Sequence, residues 1–275
     1  MKRFFYIDTA NKKMVPVNLR DCFAITDYRT QTHKSISNKQ YAEASKALKK
    51  TIGNEAAVDL IDGKCKILTV IESTGGHEGM AKRLTTFLDY IKAQGSSLKA
   101  YIYTTAYEAA FTVAASFDEK YCLPDTEFLM HKGNIPAQAD TENEQEEDEH
   151  EETAQPQDMS AYTMYLDLFF KKMEPQYQSA YQKIKELAIK HIKADIYFSG
   201  KHLATWGLAK TFPNADELTK AFTGDFGLEL SPTGFVMNTL NQLITKSNAH
   251  QQKGMFSVIE GQPTNSSPQM IMHAV

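Results

Sequence analysis

One stretch, Cys65 to Gly133, constrains this chain most, because it alternates strand-like and helix-like apolar runs with a turn signal at each change. Ile67 to Ile71 is a β-rich apolar run of the kind that forms a buried strand. It leads into Ser73-Thr74-Gly75-Gly76, where two glycines permit a backbone turn that other residues resist. Met80, Leu84, Phe87, Leu88 and Ile91 follow at helical spacing, and Gly95 ends that helix. Ala100 to Thr104 predicts a second strand, and Ala106 to Phe117 a helix whose alanines allow close packing. Tyr121 to Leu123 and Glu127 to Met130 predict two more short strands, the last ending at His131. Strand, glycine turn, helix, strand, helix, strand is an α/β crossover order. Each helix starts at the carboxyl end of a strand, where open α/β sheets place their sites.

This stretch resembles the ClpP class of serine peptidases, within the ClpP/crotonase superfamily, and also its signal peptide peptidase A branch. The family pattern is an apolar strand ending in S-P-G-G, then a strand leading into G-x-A-A-S, then L-P, then a strand ending in M-I-H. Here these read Ser73-Thr74-Gly75-Gly76, Tyr107-Glu108-Ala109-Ala110, Leu123-Pro124 and Leu129-Met130-His131. Further on, Tyr197-Phe198-Ser199-Gly200 followed by Ala204-Thr205-Trp206-Gly207-Leu208-Ala209 is similar to the family's F-L-S-A-x-E-A-x-x-Y-G-L-V-D. The resemblance covers about Cys22 to Phe212.

The resemblance implies a ClpP/crotonase-like α/β fold with repeated βαβ crossovers. Its catalytic triad falls on Glu108 in place of serine, on His131 for the histidine, and on His191 in place of aspartate. The oxyanion hole falls on the backbone of Gly76 and Ala109, and backbone donors survive side-chain substitution. An ionised glutamate only accepts hydrogen bonds, and beside such a hole it repels developing negative charge. If Glu108 faces His131, the carboxylate favours a charged imidazolium, which is a poor base. Ser116 lies about two helical turns beyond the strand end, whereas a nucleophile belongs at the turn itself. It reads as a small helix-packing residue.

Charge separates the chain into unequal parts. The net charge is −4, which points to neither a nucleic-acid partner nor a membrane surface. Yet Asp140 to Glu152 holds nine acidic residues and no Lys or Arg, which leaves 25 acidic against 30 basic residues elsewhere. Residues 134–158 carry two prolines and almost no large apolar residue, a composition that cannot bury enough surface to offset ordering. They are expected to form an acidic disordered insertion. Cys22, Cys65 and Cys122 lack metal-ligand spacing, and with no disulfide framework they suit a reducing compartment. The apolar run Phe4 to Ile7 is too short for a signal peptide, and no segment approaches a membrane span, so the chain reads as soluble and cytoplasmic.

Taken in order, Phe4 to Ile7 and Lys13 to Val17 predict a hairpin with Asn11 near its turn. Cys22 to Ile25 reads as a first core strand. Asn38 caps a helix to Lys50, with Tyr41, Ala44 and Leu48 on its buried face and Gly53 closing it. Ala57 to Ile61 fits either a strand or the end of that helix. Met159 to Lys193 is a long helical region interrupted at Pro175, with a broad apolar face suited to self-association. Lys201 to Leu208, Asn214 to Phe222 and Phe235 to Ile244 predict helices, and Asn248 onward reads as a mobile tail. The resulting division is an N-terminal arm over 1–21, a ClpP-like domain over 22–222, and a partly disordered extension over 223–275.

Three function classes follow. The first is a peptidase-fold protein without serine-peptidase activity, a homo-oligomeric binding or assembly subunit for peptide or unfolded protein. The second is an active Clp-type serine endopeptidase or other hydrolase with a displaced nucleophile. The third is a crotonase-type acyl-CoA enzyme. No cofactor and no metal is expected, although Glu108, His131 and His191 are ligand types that can hold Zn or Fe.

Overall fold

A computed structural model of the chain describes residues 4–8, 13–31, 36–63, 65–76, 78–130, 167, 170, 173, 175–190, 196–226, 235–257 and 270–271. Two strands, β1 (Phe4–Asp8) and β2 (Lys13–Val17), form a separate antiparallel hairpin. The main sheet contains β3 (Lys66–Ser73), β4 (Ser97–Tyr107), β5 (Glu119–Cys122), β6 (Glu127–Met130), β7 (Ile196–Ser199), β8 (Lys210–Thr211) and β9 (Met270–Ile271). All its pairs are parallel except β6 with β7. The fold is therefore α/β with βαβ crossovers, as the order of apolar runs predicts.

β4 organises this sheet. On one side Ser97 to Ile102 and Ala106 pair with β3. On its other side Lys99 to Ile102 pair with β5, and Thr105 to Tyr107 pair with β6. Thr126 makes the handover between them. Its buried hydroxyl donates to the carbonyls of Ile102 (3.3 Å) and Tyr103 (3.1 Å) and accepts from Leu123 N–H at 2.9 Å. The turn from β5 to β6 is thereby fastened to the middle of β4.

Alternation along β4 divides the core in two. Ala100, Ile102 and Ala106 face one cluster with Ile67, Ile71, Phe23, Phe87, Ile91 and Phe111. Tyr101 and Tyr103 face a second cluster with Leu218, Phe222, Leu240 and Leu243. The first face is covered by α1 (Leu19–Thr30), α4 (Glu78–Ala93) and α5 (Ala109–Ala115), the second by α8 (Ala215–Phe226) and α9 (Phe235–Ser257). The remaining helices are α2 (Asn38–Ile52), α3 (Asn54–Ile61), α6 (Gln178–Lys190) and α7 (Gly200–Thr205).

Several expectations need correction. Cys22 to Ile25 is not a strand but part of α1. Asn18 starts that helix by accepting from Arg20 N–H at 3.0 Å. Asp27, almost fully buried on it, is held by Arg83 of α4 at 2.6 Å. α2 begins at Asn38, but its cap is Ser37, in a reciprocal capping box with Gln40. Ala57 to Ile61 belongs to the separate helix α3. Ala106 lies in β4, so the following helix is shorter than predicted and starts at Ala109. The helix from Phe235 continues to Ser257, through residues read as tail from Asn248. The insertion 134–158 lies outside the described residues, as do Asn11 and most of 159–174. On α6, Tyr181 stacks on Phe170 at 5.5 Å and Ile184 is buried, so this part of the apolar face packs within one copy.

Two expected outcomes follow from this packing. A Cβ on Gly200 would overlap the Leu123 carbonyl oxygen and lie 2.9 Å from Cys122 Sγ. Gly200→Ala should therefore destabilise the chain by about 1–3 kcal/mol, read as a Tm fall of roughly 3–10 °C. The second concerns Asp225 on α8. Burial opposes its charge, but bonds from Tyr101 and Lys99 prevail, with Lys66 beyond them, and hold its carboxyl below the ordinary 3.8. A lowered folded value stabilises the fold above the unfolded value and is lost as pH falls through the folded one. Asp225→Asn should thus lower stability at neutral pH, and the difference from wild type should shrink as pH falls below 3.8. Urea titrations across that range check both the size and the sign.

Candidate functional site

The carboxyl ends of β3 and β4 carry the site. β3 ends with a register shift: Ile71 stands opposite Ile102 and Ser73 opposite Ala106, so β4 carries extra residues there. Ser73 then closes a local turn: its hydroxyl donates to Gly75 C=O at 3.0 Å and accepts from Gly75 N–H at 3.3 Å. Gly75 has φ 119 and Gly76 φ 157, backbone angles that glycine adopts freely.

β4 is followed by Glu108, whose φ of 50 and ψ of −115 match the first central residue of a type II′ turn, a position glycine normally takes. The turn is fixed on both sides. Glu108 N–H donates to Leu129 C=O at 2.9 Å, on β6, and Glu108 C=O accepts from Thr112 N–H at 3.1 Å, which opens α5. A sharp strained turn from strand to helix is the backbone geometry that presents a catalytic side chain above a sheet. Glu108 is the residue that stands at this turn.

The side chain of Glu108 does not cap α5. It is half-buried and lies against Gly75: a Cβ built on that glycine would overlap Oε2 and sit 2.9 Å from Cδ. At Gly76 an added Cβ would meet nothing within 4 Å. The glycine turn is therefore covered by the carboxylate at its first residue and open at its second. Gly76 and Ala109, the expected oxyanion donors, are the residues that follow Gly75 and Glu108 in the chain. His131 and His191 lie outside the described residues, so the Glu108–His131 pairing lies outside them too. Among the described residues no group of three or more His, Cys, Asp and Glu could hold a metal ion.

Two serine hydroxyls of this stretch are engaged or enclosed. Ser73 is held in its own turn. Ser116 is fully buried at the end of α5, with no hydrogen-bond partner for its Oγ among the described residues, which suits the packing role. Two features escaped the sequence reading. Glu72, one residue before the β3 terminus, accepts from Thr104 N–H at 3.0 Å, from Thr105 N–H at 3.4 Å and from the Thr104 hydroxyl. It braces the register shift against β4. Tyr107 donates to Glu127, whose other oxygen lies 3.5 Å from His250 Nε2 on α9. Burial first, then the bond to Glu127 and the charges of Glu127 and Glu72, push the Tyr107 phenol well above its ordinary value, so it is a donor at neutral pH. An acidic residue inside an apolar strand was the available signal for both.

Strain at the elbow is measurable. Non-glycine residues in such angles cost of order 1–3 kcal/mol, and both Gly and Ala remove the carboxylate. Glu108→Gly should therefore be more stable than Glu108→Ala by about 1 kcal/mol or more, in paired denaturant unfolding curves. Equal stabilities would show a relaxed turn.

No protein-family model matches the sequence, and no curated protein is a significant match. Among solved structures the chain is similar to ClpP1 from Listeria monocytogenes, at 16% identity and a TM-score of 0.38, over 66% of this chain and 89% of that one. It is also similar to a peptidase from Plasmodium falciparum, at 16% identity and a TM-score of 0.35, over 60% and 85%. Scores this low carry no argument about the site, whose reading rests on its own geometry.

Proposed function

We propose that this chain is a ClpP-like protein that binds an extended polypeptide at the carboxyl ends of β3 and β4 and does not hydrolyse it through a serine. The observation that carries this reading is Glu108 at the strained elbow, with its carboxylate against Gly75. The turn has the shape that presents a nucleophile, but its side chain offers only acceptor oxygens when ionised. Acyl transfer would build negative charge beside those oxygens, where a carboxylate opposes it. The family's aspartate position holds His191, a second departure from the hydrolytic set.

Extended polypeptide is the favoured ligand class because of the edge beside the site. Among the described residues β3 has β4 as its only strand neighbour, and its outer edge leads to Gly75 and Gly76. A peptide laid along that edge by strand addition would reach the elbow. Self-association is a separate proposal. Among the described residues only Val58 and Met80 are large apolar side chains left exposed, so it would need surface from elsewhere in the chain.

The test combines a serine-directed fluorophosphonate probe with binding of labelled unfolded polypeptide. The wild-type chain should remain unlabelled and bind the polypeptide. Glu108→Ser alone should regain little peptidase activity, since the aspartate position stays a histidine. Covalent labelling of the wild type would overturn the reading, and so would the absence of polypeptide binding.

A further inference from the structure

The outer edge of β7 is met by the chain's own C-terminal residues. β7 lies between β6 and the two-residue β9, which pairs in parallel with Ile196 opposite Met270 and Tyr197 opposite Ile271. The β6–β7 ladder fixes which peptide groups of β7 face outward. Gly200 N–H donates to Thr126 C=O at 2.7 Å, and bonded rungs alternate in an antiparallel pair. Stepping back by two along β7, Phe198 and Ile196 bond towards β6, so Ser199 and Tyr197 turn their peptide groups to the other side. Ser199 N–H is taken by His202 Nδ1 at 3.1 Å, within the capping box of α7. At Tyr197 the strand that meets this edge is β9.

β7 has the properties of an edge that needs covering. Ile196-Tyr197-Phe198-Ser199 contains neither charge nor proline, the usual devices against edge-to-edge pairing. Ile196 and Phe198 are buried, so the strand is fixed in register and presents a rigid template. Its cover is short. Met270 and Ile271 form only two ladder positions, and twelve residues, 258–269, join them to the end of α9. A segment joined to its site through so short a connection stays at a local concentration on the order of millimolar. Two rungs at that concentration cover the edge while remaining exchangeable.

We propose that the outer edge of β7 is a strand-addition site for an extended apolar peptide, and that its resident occupant is the chain's own C-terminal segment at Met270–Ile271. The segment acts as a cap in cis. It uses a different edge from the one assigned above, so either reading can fail alone.

The experiment uses the full chain and a variant with Met270→Pro and Ile271→Pro together, which removes two backbone donors from the cap and leaves the folded core untouched. The probe is a fluorescein-labelled peptide with the sequence of residues 268–275. It should bind the double variant at least about ten-fold more tightly than the wild type, because the tethered segment no longer competes. The same peptide carrying both prolines should not bind. Hydrogen exchange at the Tyr197 amide should be faster in the double variant than in the wild type. Equal affinity for both proteins, which would mark a site for a second copy and not a cap in cis, overturns the proposal. Failure to bind either protein, or unchanged exchange at Tyr197, overturns it as well.

Discussion

Everything in this structure depends on β4 having three strand neighbours. A strand has two edges, so two of its neighbours must share one edge end to end. Eleven residues are long enough for this: Lys99 to Ile102 serve β5 and Thr105 to Tyr107 serve β6. The join between them is a weak point, because a gap in the ladder leaves carbonyls without a strand partner, and burying them so is costly. The Thr126 hydroxyl fills the gap by bonding Ile102 and Tyr103 C=O. One small polar side chain thus allows β5 and β6 to run in line, and it directs β6 to the end of β4 where the elbow lies.

That placement explains why the strained turn persists. Glu108 cannot relax alone, since its N–H is bonded to β6 and its C=O begins α5. Relaxing φ would break one bond or the other. The glycine turn after β3 closes the arrangement from the opposite side, with Gly75 near enough to the Glu108 carboxylate to leave no room for a Cβ. Glu72 fixes the end of β3 through backbone amides of β4. Elbow and glycine turn are therefore held by the same two strand ends, and the geometry does not require a serine. The shape of the turn belongs to the backbone and is set by these bonds.

The strongly periodic parts of this architecture were legible in the sequence, and the parts set by distant partners were not. Glu127 to Met130 is a buried strand whose apolar run announces it, whereas Ile67 to Ile71 forms a strand as expected but, among the described residues, lies at a sheet edge and is buried only at Ile67 and Ile71. Glu108 could be placed at the elbow by its distance from Leu123-Pro124. Cys22 to Ile25 misled because four apolar or β-prone residues fit a strand locally. The deciding feature is Asp27, a buried charge stabilised by Arg83 more than fifty positions away. The helix from Ala106 was read too long because alanine has no strong aversion to a strand when its neighbour requires a small side chain, as the first core does at Ala100 and Ala106. α9 was read too short because its second half is rich in Gln, Asn and Ser. Its length follows from contacts that composition does not reveal, such as buried Ser247 and the pairing of His250 with Glu127.

The elbow is also not isolated from the far side of the sheet. Glu108 N–H is bonded to Leu129 C=O, Leu129 stands opposite Tyr197 on β7, and Tyr197 stands opposite Ile271 on β9. Tyr107, the residue before the elbow, meets the Tyr197 ring edge to face at 6.2 Å and donates its hydroxyl to Glu127. α9 reaches the same place through His250. The first residue of the turn, the second edge of the sheet and the last long helix therefore meet on a single line of neighbouring strand positions. A chain that adds or loses a strand at β7 changes the surroundings of Tyr197, and Tyr197 is packed against Tyr107, the residue before Glu108. The elbow and that edge are neighbours in space through one ring contact, Tyr107 with Tyr197, and one peptide bond, Glu108 N–H to Leu129 C=O.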